Sequence, residues 1–421
     1  MTRSMDDAPT AYDFATPPLI RFGAGRIAEI GSTVALLGRR AWIIGGGRSL
    51  AASGAWERIA ASLTASGIDS RIVATSNGEP TVDQVAAALA AIASEDHDGV
   101  VVVAVGGGAT LDLAKAVAAL ATNMPAGLAS GPHHEARLDS LVVDHLESVG
   151  RGLTIGQWPL PVVAVPTTAG TGAEATRNAV ISCPRRRFKK SMRSPMMVPR
   201  VALVDPDLTA SCDPATIAAS GLDCITQLIE SFICRFQQPL PRCLVLESLP
   251  RAIDALPRLL LPKPEGEDTQ HWTDSRAADR AAMSHAALLS GMALTNSGLG
   301  MAHGVAAALG IGWSTPHGVA CAVMLPTAMR VNRTAAEHDF AMLERAVNPA
   351  ASTDQAAAAD AFVERIERLC TESGVPRRLS ELGVTAGQLD WLAEHSGGAS
   401  MRGNPVTLTP AELRSVLAAM L

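Results

Sequence analysis

The segment Val100–Ala118, VVVVAVGGGATLDLAKAVA, decides the architecture. Six apolar residues, Val100 to Val105, run between Gly99 and Gly106 without a polar interruption, as in a parallel strand covered on both faces. Three glycines follow, and an Ala/Leu-rich amphipathic stretch beginning near Thr110 reads as a helix. Glycines between a buried strand and a helix let backbone N–H groups approach an anion at the positive end of that helix, so a pyrophosphate fits there. The spacing is neither G-x-G-x-x-G nor a P-loop, because Lys115 lies inside the helix and no Lys-Ser/Thr pair closes the turn.

Working outward, Ala41–Ile44 and Ser70–Ala74 are further β-branched runs, separated by helix-like spans around 51–66 and 82–94. Downstream, Val162–Val165 ends at Pro166 and Val201–Val204 ends at Asp205-Pro206. Strands alternating with helices predict βαβ units on a parallel sheet. Beyond Leu208 the pattern is helical, with apolar-periodic spans around 215–234, 241–258, 276–295, 300–311, 318–332, 354–373 and 410–420. The expectation is an α/β, Rossmann-like dinucleotide-binding domain over 1–207 and an all-α domain over 208–421. Pro262–Asp274 reads as an exposed connection between helices.

The 421 residues carry 48% apolar and 18% charged side chains and a net charge of -6. There is no global positive field to draw the chain onto nucleic acid or anionic lipid, which favours a small-molecule partner. Arg185, Arg186, Arg187, Lys189, Lys190 and Arg193 form a local basic run, either a solvated loop or a phosphate-facing one. Seven scattered cysteines with no Cys-x-x-Cys pair suit a reducing compartment. The first twenty residues hold Asp6, Asp7 and Asp13 and no apolar core of a leader, and no window approaches the roughly 18 apolar residues of a membrane span. A cytoplasmic protein is expected.

Two further constellations carry chemistry. VAVPTTAGTGAEAT (163–176) follows a strand and supplies Thr167, Thr168, Thr171 and Thr176 with Gly170 and Gly172, a dense set of hydroxyls and small residues at a sheet edge. In the helical half, Asp223, Gln227 and Glu230 fall on one helix face, and His303 and His317 sit beside glycines in apolar surroundings. Two imidazoles and a carboxylate can ligate a divalent ion and leave a position for substrate oxygen. Gln227 would be a weak, neutral fourth ligand, and Glu230 either orients a ligand or is a helix-face charge.

PLIRFGAG (18–25), GGGATLDLAK (106–115), VGRG (149–152), VPTTAGTGAE (165–174), RSPMMVPRVALVDP (193–206), GLDCITQLIE (221–230), GLGMAHG (298–304), PHGVACAVMLP (316–326) and RGNPV (402–406) together resemble the group III, iron-containing alcohol dehydrogenases, whose fold is dehydroquinate synthase-like. The resemblance implies that Gly106, Gly107, Gly108, Asp112, Thr167, Thr168, Thr171 and Lys189 line a nicotinamide cofactor, and that Asp223, His303 and His317 take Fe2+ or Zn2+. Two departures stand out: Gln227 occupies a position commonly held by histidine, and Ala307 one held by a histidine often credited with proton transfer. They leave metal identity and the proton route open.

The resemblance implies hydride transfer between nicotinamide and a small primary alcohol or aldehyde, with a Lewis acid lowering the alcohol's pKa. Gly47 aligns where an acidic residue commonly accepts the ribose hydroxyls of NAD, so Gly47-Arg48 leans slightly to NADP, while Glu79 in NGEPT falls near the same ribose and opposes the lean. Three alternatives remain: a catalytically altered relative, a metal-independent reductase similar to maleylacetate reductase, and a dehydroquinate synthase-like lyase. The lyase needs basic residues that the histidine motifs lack. Met292, Met301 and Trp313 are either pocket wall or core, and a homodimer is the expected assembly.

Overall fold

The computed structural model describes residues 11–46, 54–76, 78–130 and 133–421. Among the described residues there are eight strands: β1 (Leu19–Phe22), β2 (Arg40–Gly46), β3 (Asp69–Ser76), β4 (Val100–Gly106), β5 (Val162–Pro166), β6 (Asn178–Cys183), β7 (Phe188–Arg193) and β8 (Val201–Val204). Six form one sheet in the order β1-β8-β5-β4-β2-β3, every neighbouring pair parallel. Parallel strands need crossovers, and the helices that supply them cover both faces. Alternation along β4 shows this directly. Val100, Val102 and Ala104 pack with Leu89, Leu111 and Leu138, whereas Val101, Val103 and Val105 pack with Ile27, Ile59 and Leu63. No face of β4 is left for solvent, which explains its unbroken apolar run.

The α/β half and the largely helical half follow the expected order. After β8 the next regular elements are helical to the end of the chain, the longest being Pro214–Ile233, Pro239–Leu260, Ala277–Asn296, His317–Asn332 and Gln355–Glu372. The Pro214–Ile233 helix is central, packed by Pro239–Leu260, Ala277–Asn296 and His317–Asn332, and every side chain from Gly221 to Ile233 is buried. That burial makes its polar members, Asp223, Gln227 and Glu230, costly unless partnered. Met292 and Met301 belong to packed cores, and Trp313 is half-buried with its ring edge-on to Trp391.

Several elements depart from the sequence expectation. The run from Arg185 to Arg193, read as a basic loop, forms the turn and second strand of an antiparallel hairpin of β6 and β7. Its charges are largely neutralised nearby: Arg185 pairs with Asp83 and Asp139, Lys189 with Glu79, and Arg193 with Glu147. The connection 262–274 carries a helix in its second half, Thr269–Ser275, capped by Asp268 accepting from the His271 N–H at 2.9 Å. Its polar sequence has no apolar period to reveal it. Among the described residues no helix is long and apolar enough to cross a membrane.

The sheet's C-terminal edge is tied to the N-terminal turn by one carboxylate. Asp205, directly after β8, accepts from the N–H groups of Gly25 (3.1 Å), Ile27 (2.9 Å) and Asp207 (3.1 Å) and is buried. Asp205→Ala leaves these donors without an acceptor and is expected to cost about 2 to 3 kcal/mol in urea unfolding. Asp205→Asn, which keeps an acceptor oxygen, recovers part of that loss.

Candidate active site

Strands β4 and β5 end side by side, with Gly106 opposite Pro166, and the loops leaving them touch: the Thr167 N–H donates to the Gly106 carbonyl at 3.0 Å. The glycines are required by this proximity. A Cβ on Gly106 would lie 2.4 Å from Thr110 Oγ1, and one on Gly108 would lie 2.4 Å from Thr171 Oγ1. Gly107 caps the Gly108–Asn123 helix in an extended conformation. Gly106, Gly107, Gly108, Thr167, Thr168 and Thr171 thus form one rim at the C-terminal edge of the sheet, where open α/β sheets take ligands.

The other expected cofactor residues have partners of their own. Asp112 accepts from the Val180 N–H at 2.9 Å and pairs with Lys115 at 2.9 Å, fastening the helix to β6. Glu79 receives Lys189 on one oxygen and the Ser182 hydroxyl, at 3.0 Å, on the other. Burial pushes Glu79 up, but Lys189 outweighs it and holds the carboxyl below its ordinary value. Lys189 also lies against Gly310 of the Met301–Trp313 helix, so this pair stands beside the helical half. Gly47 and Arg48 lie outside the described residues.

In the helical half, Asp223, His303, His317 and Cys321 bring one ligand atom each to within 4.8 Å of one another. Asp223 Oδ1 is 3.3 Å from His303 Nε2 and 3.8 Å from His317 Nε2, and the two rings meet edge to face at 5.4 Å. Glu230 supports them from behind. It accepts from His303 Nδ1 at 2.7 Å and from the N–H groups of Gly300 (2.9 Å) and Ala302 (2.6 Å), while the Met301 N–H goes to Asn404 at 3.0 Å. With Nδ1–H given to Glu230, a neutral His303 presents the Nε2 lone pair to the Asp223 oxygen. Both atoms are buried and neither has a hydrogen-bond partner. Two facing acceptors repel unless a cation or a proton lies between them, so the donor set fits a divalent ion.

Without a cation, the electrostatics favour a proton between the two atoms. Burial pushes Asp223 up, yet His317 and His303 outweigh it and hold the carboxyl below its usual range. Burial likewise works against a charged His303, but Cys321, Asp223 and Glu230 prevail and keep it well above the ordinary imidazole value. His317 is pushed down to about 4 by burial, partly opposed by Asp223. The Cys321 thiol is driven up to about 12 by burial. The side chain of His317 is 32% exposed, against 2% for Asp223 and 4% for His303, so the cluster opens on the His317 side.

Gln227 is not turned for the ligand role expected of it. Its Nε2 donates to Asp223 Oδ2 at 3.2 Å, and its Oε1 accepts from the Ser290 hydroxyl at 2.7 Å. The amide therefore steadies Asp223 while its oxygen points elsewhere. Cys321, which the sequence reading passed over, reaches the cluster instead. Its signal was available: it lies four residues after His317, one turn along the same helix. Ala307 is half-buried one turn beyond His303, where no side chain can carry a proton.

Comparison with known proteins places this arrangement. Residues 17–206 match the iron-containing alcohol dehydrogenases, and residues 217–421 match the C-terminal domain of the same family. The chain belongs to the iron-containing alcohol dehydrogenase family. It is an oxidoreductase acting on CH–OH groups, and the Asp/His/His metal site of such an enzyme is present. A probable alcohol dehydrogenase of Salmonella typhimurium is 30% identical over 96% of this chain and 94% of its own length. A 1,3-propanediol oxidoreductase structure superposes with a TM-score of 0.83 at 27% identity, covering 98% of this chain and 100% of its own. The sulfoacetaldehyde reductase of Bifidobacterium kashiwanohense, solved with NAD+, gives 0.80 at 27% identity, covering 98% and 99%.

Glu230 offers a direct check on this geometry. Glu230→Gln retains the size of the side chain but gives His303 Nδ1 a weaker acceptor. Metal affinity, measured by competition with a chromophoric chelator, is expected to fall roughly 10- to 100-fold.

Proposed function

We propose that this chain interconverts small primary alcohols and aldehydes with a nicotinamide cofactor, using one divalent ion, iron or zinc, held by Asp223, His303 and His317. The observation that carries the reading is the convergence of ligand atoms from three helices, two of which, Asp223 Oδ1 and His303 Nε2, are buried without a hydrogen-bond partner. A bound ion supplies Lewis acidity, which favours loss of the alcohol proton and polarises an aldehyde. The chain's own residues orient the site. Glu230 fixes the His303 tautomer and Gln227 steadies Asp223, while the His317 side chain is the partly exposed member.

The rim formed by Gly106, Gly107, Gly108, Thr167, Thr168 and Thr171 takes the cofactor's phosphates, aided by the N-terminus of the Gly108–Asn123 helix. Asp112 and Lys189 serve by holding β6 and β7 in place around it. Gly47-Arg48 supports a slight preference for NADP. Glu79 opposes it only weakly, because Lys189 and Ser182 already hold both its oxygens. Ala307 offers no base, so a water chain or a ribose hydroxyl of a bound cofactor would have to carry the proton. The proposed division of the chain is 1–207 and 208–421, supported by β8 ending at Val204 and the long helices starting at Pro214. A cytoplasmic homodimer is the proposed working state.

The test is to determine bound metal, then follow NADH and NADPH oxidation with small aldehydes before and after chelation and refilling. Activity is expected to vanish on chelation, to return with iron or zinc, and to be higher with NADPH. Full activity in metal-free protein would replace this reading with a metal-independent reductase. Stoichiometric metal without turnover would favour a catalytically altered relative, a reading that Gln227 and Ala307 support.

A further inference from the structure

The four ligand atoms of the cluster come from three helices, and two of them come from one turn. His317 opens the His317–Asn332 helix and Cys321 follows four residues later, its Sγ 3.7 Å from His317 Nε2. Cys321 is completely buried in an apolar cluster that includes Met301, Val305 and Met324, yet its sulfur also lies within 4.8 Å of the ligand atoms of Asp223 and His303. A buried thiol that only filled space would have no need of three polar neighbours. The Asp223 and His303 atoms aimed at the same point have no hydrogen-bond partner, so the sulfur, in contact with His317 Nε2, faces two orphaned ligand atoms.

The neighbouring candidate for a fourth ligand is excluded by its bonds. Gln227 Oε1 is held by Ser290, and what Gln227 offers the cluster is an N–H donor, which cannot ligate a cation. We infer that Cys321 is the fourth protein ligand of the metal, giving an Asp223, His303, His317, Cys321 set in which a thiolate stands in for the missing imidazole. The inference rests on the proposed metal site. A coordinating cation deprotonates a thiol outright, so the cost of a buried thiolate is met by the ion itself. Sulfur is softer than imidazole or carboxylate and shifts the site's preference toward zinc over Fe2+. Zinc accepts five ligands as well as four, and the opening beside His317 leaves the fifth position to substrate oxygen.

The experiment uses the full chain, stripped by chelation and refilled with zinc or cobalt(II). Zinc X-ray absorption on the wild-type protein is expected to show one sulfur neighbour at about 2.3 Å. Cobalt-loaded protein is expected to show a thiolate-to-metal charge-transfer band in the near ultraviolet. Cys321→Ser is expected to lose that band, keep one metal per chain, and bind it more weakly by at least the roughly tenfold that loss of even an outer contact costs. Stoichiometric zinc with only nitrogen and oxygen neighbours in the wild type would overturn the assignment of Cys321 while leaving the three-ligand reading intact. Failure of the wild type to bind either metal would remove both. Because the wild-type spectrum decides the matter alone, a misfolded variant does not obscure it.

Discussion

One carboxylate holds the centre of this molecule together. Glu230 is buried in the core of the helical half, where an unpaired charge would be prohibitive, and it escapes that cost by accepting from an imidazole and three backbone N–H groups. Those amides are the open end of the Met301–Trp313 helix, so a single side chain serves as helix cap and as orienting partner for His303. Gly300 is part of the same arrangement, since a Cβ there would lie 2.9 Å from Glu230 Oε1. Asn404 completes the cap and is braced by Asn332, which draws the chain's late RGNPV segment into the wall of the site. Position, tautomer and helix direction are thereby set by one group.

The α/β half contributes a different kind of order. Its six parallel strands place two short loops next to each other at one edge, and small residues there keep the backbone accessible. The two halves therefore divide the chemistry. One offers backbone amides and hydroxyls suited to phosphate, and the other offers buried charge and imidazole suited to a cation. The Glu79–Lys189 pair stands between them, reaching from β7 toward the Met301–Trp313 helix.

Much of this was legible in the sequence because burial and period were strong. The Val100–Val105 run and its glycines announced β4 and its helix, and the helices carrying Asp223, His303 and His317 were visible from apolar spacing. What escaped was governed by contacts between distant segments. The β6–β7 hairpin hid behind a basic run whose charges find partners as far away as Asp83 and Glu147. Cys321 looked like one more apolar residue in VACAVML, since a thiol's role depends on what faces it rather than on its neighbours in the chain. Gln227 was placed correctly on its helix, but the direction of its amide depends on Ser290, sixty-three positions later.

The loop after β5 meets the helical half at Gly172, whose left-handed φ of 60° and missing side chain let it lie against Gly291 of the Ala277–Asn296 helix. A Cβ on either residue would fall within 2.5 Å of the other's backbone or its immediate neighbour's. With bare backbone pressed on bare backbone there is nothing compressible in between. The contact is therefore a spacer of fixed thickness, backed by an apolar layer in which Ala175, Ala202 and Val204 meet Leu288, Leu289 and Met292. A side chain added at either glycine would push the loop after β5, and Thr167, Thr168 and Thr171 with it, away from the helical half.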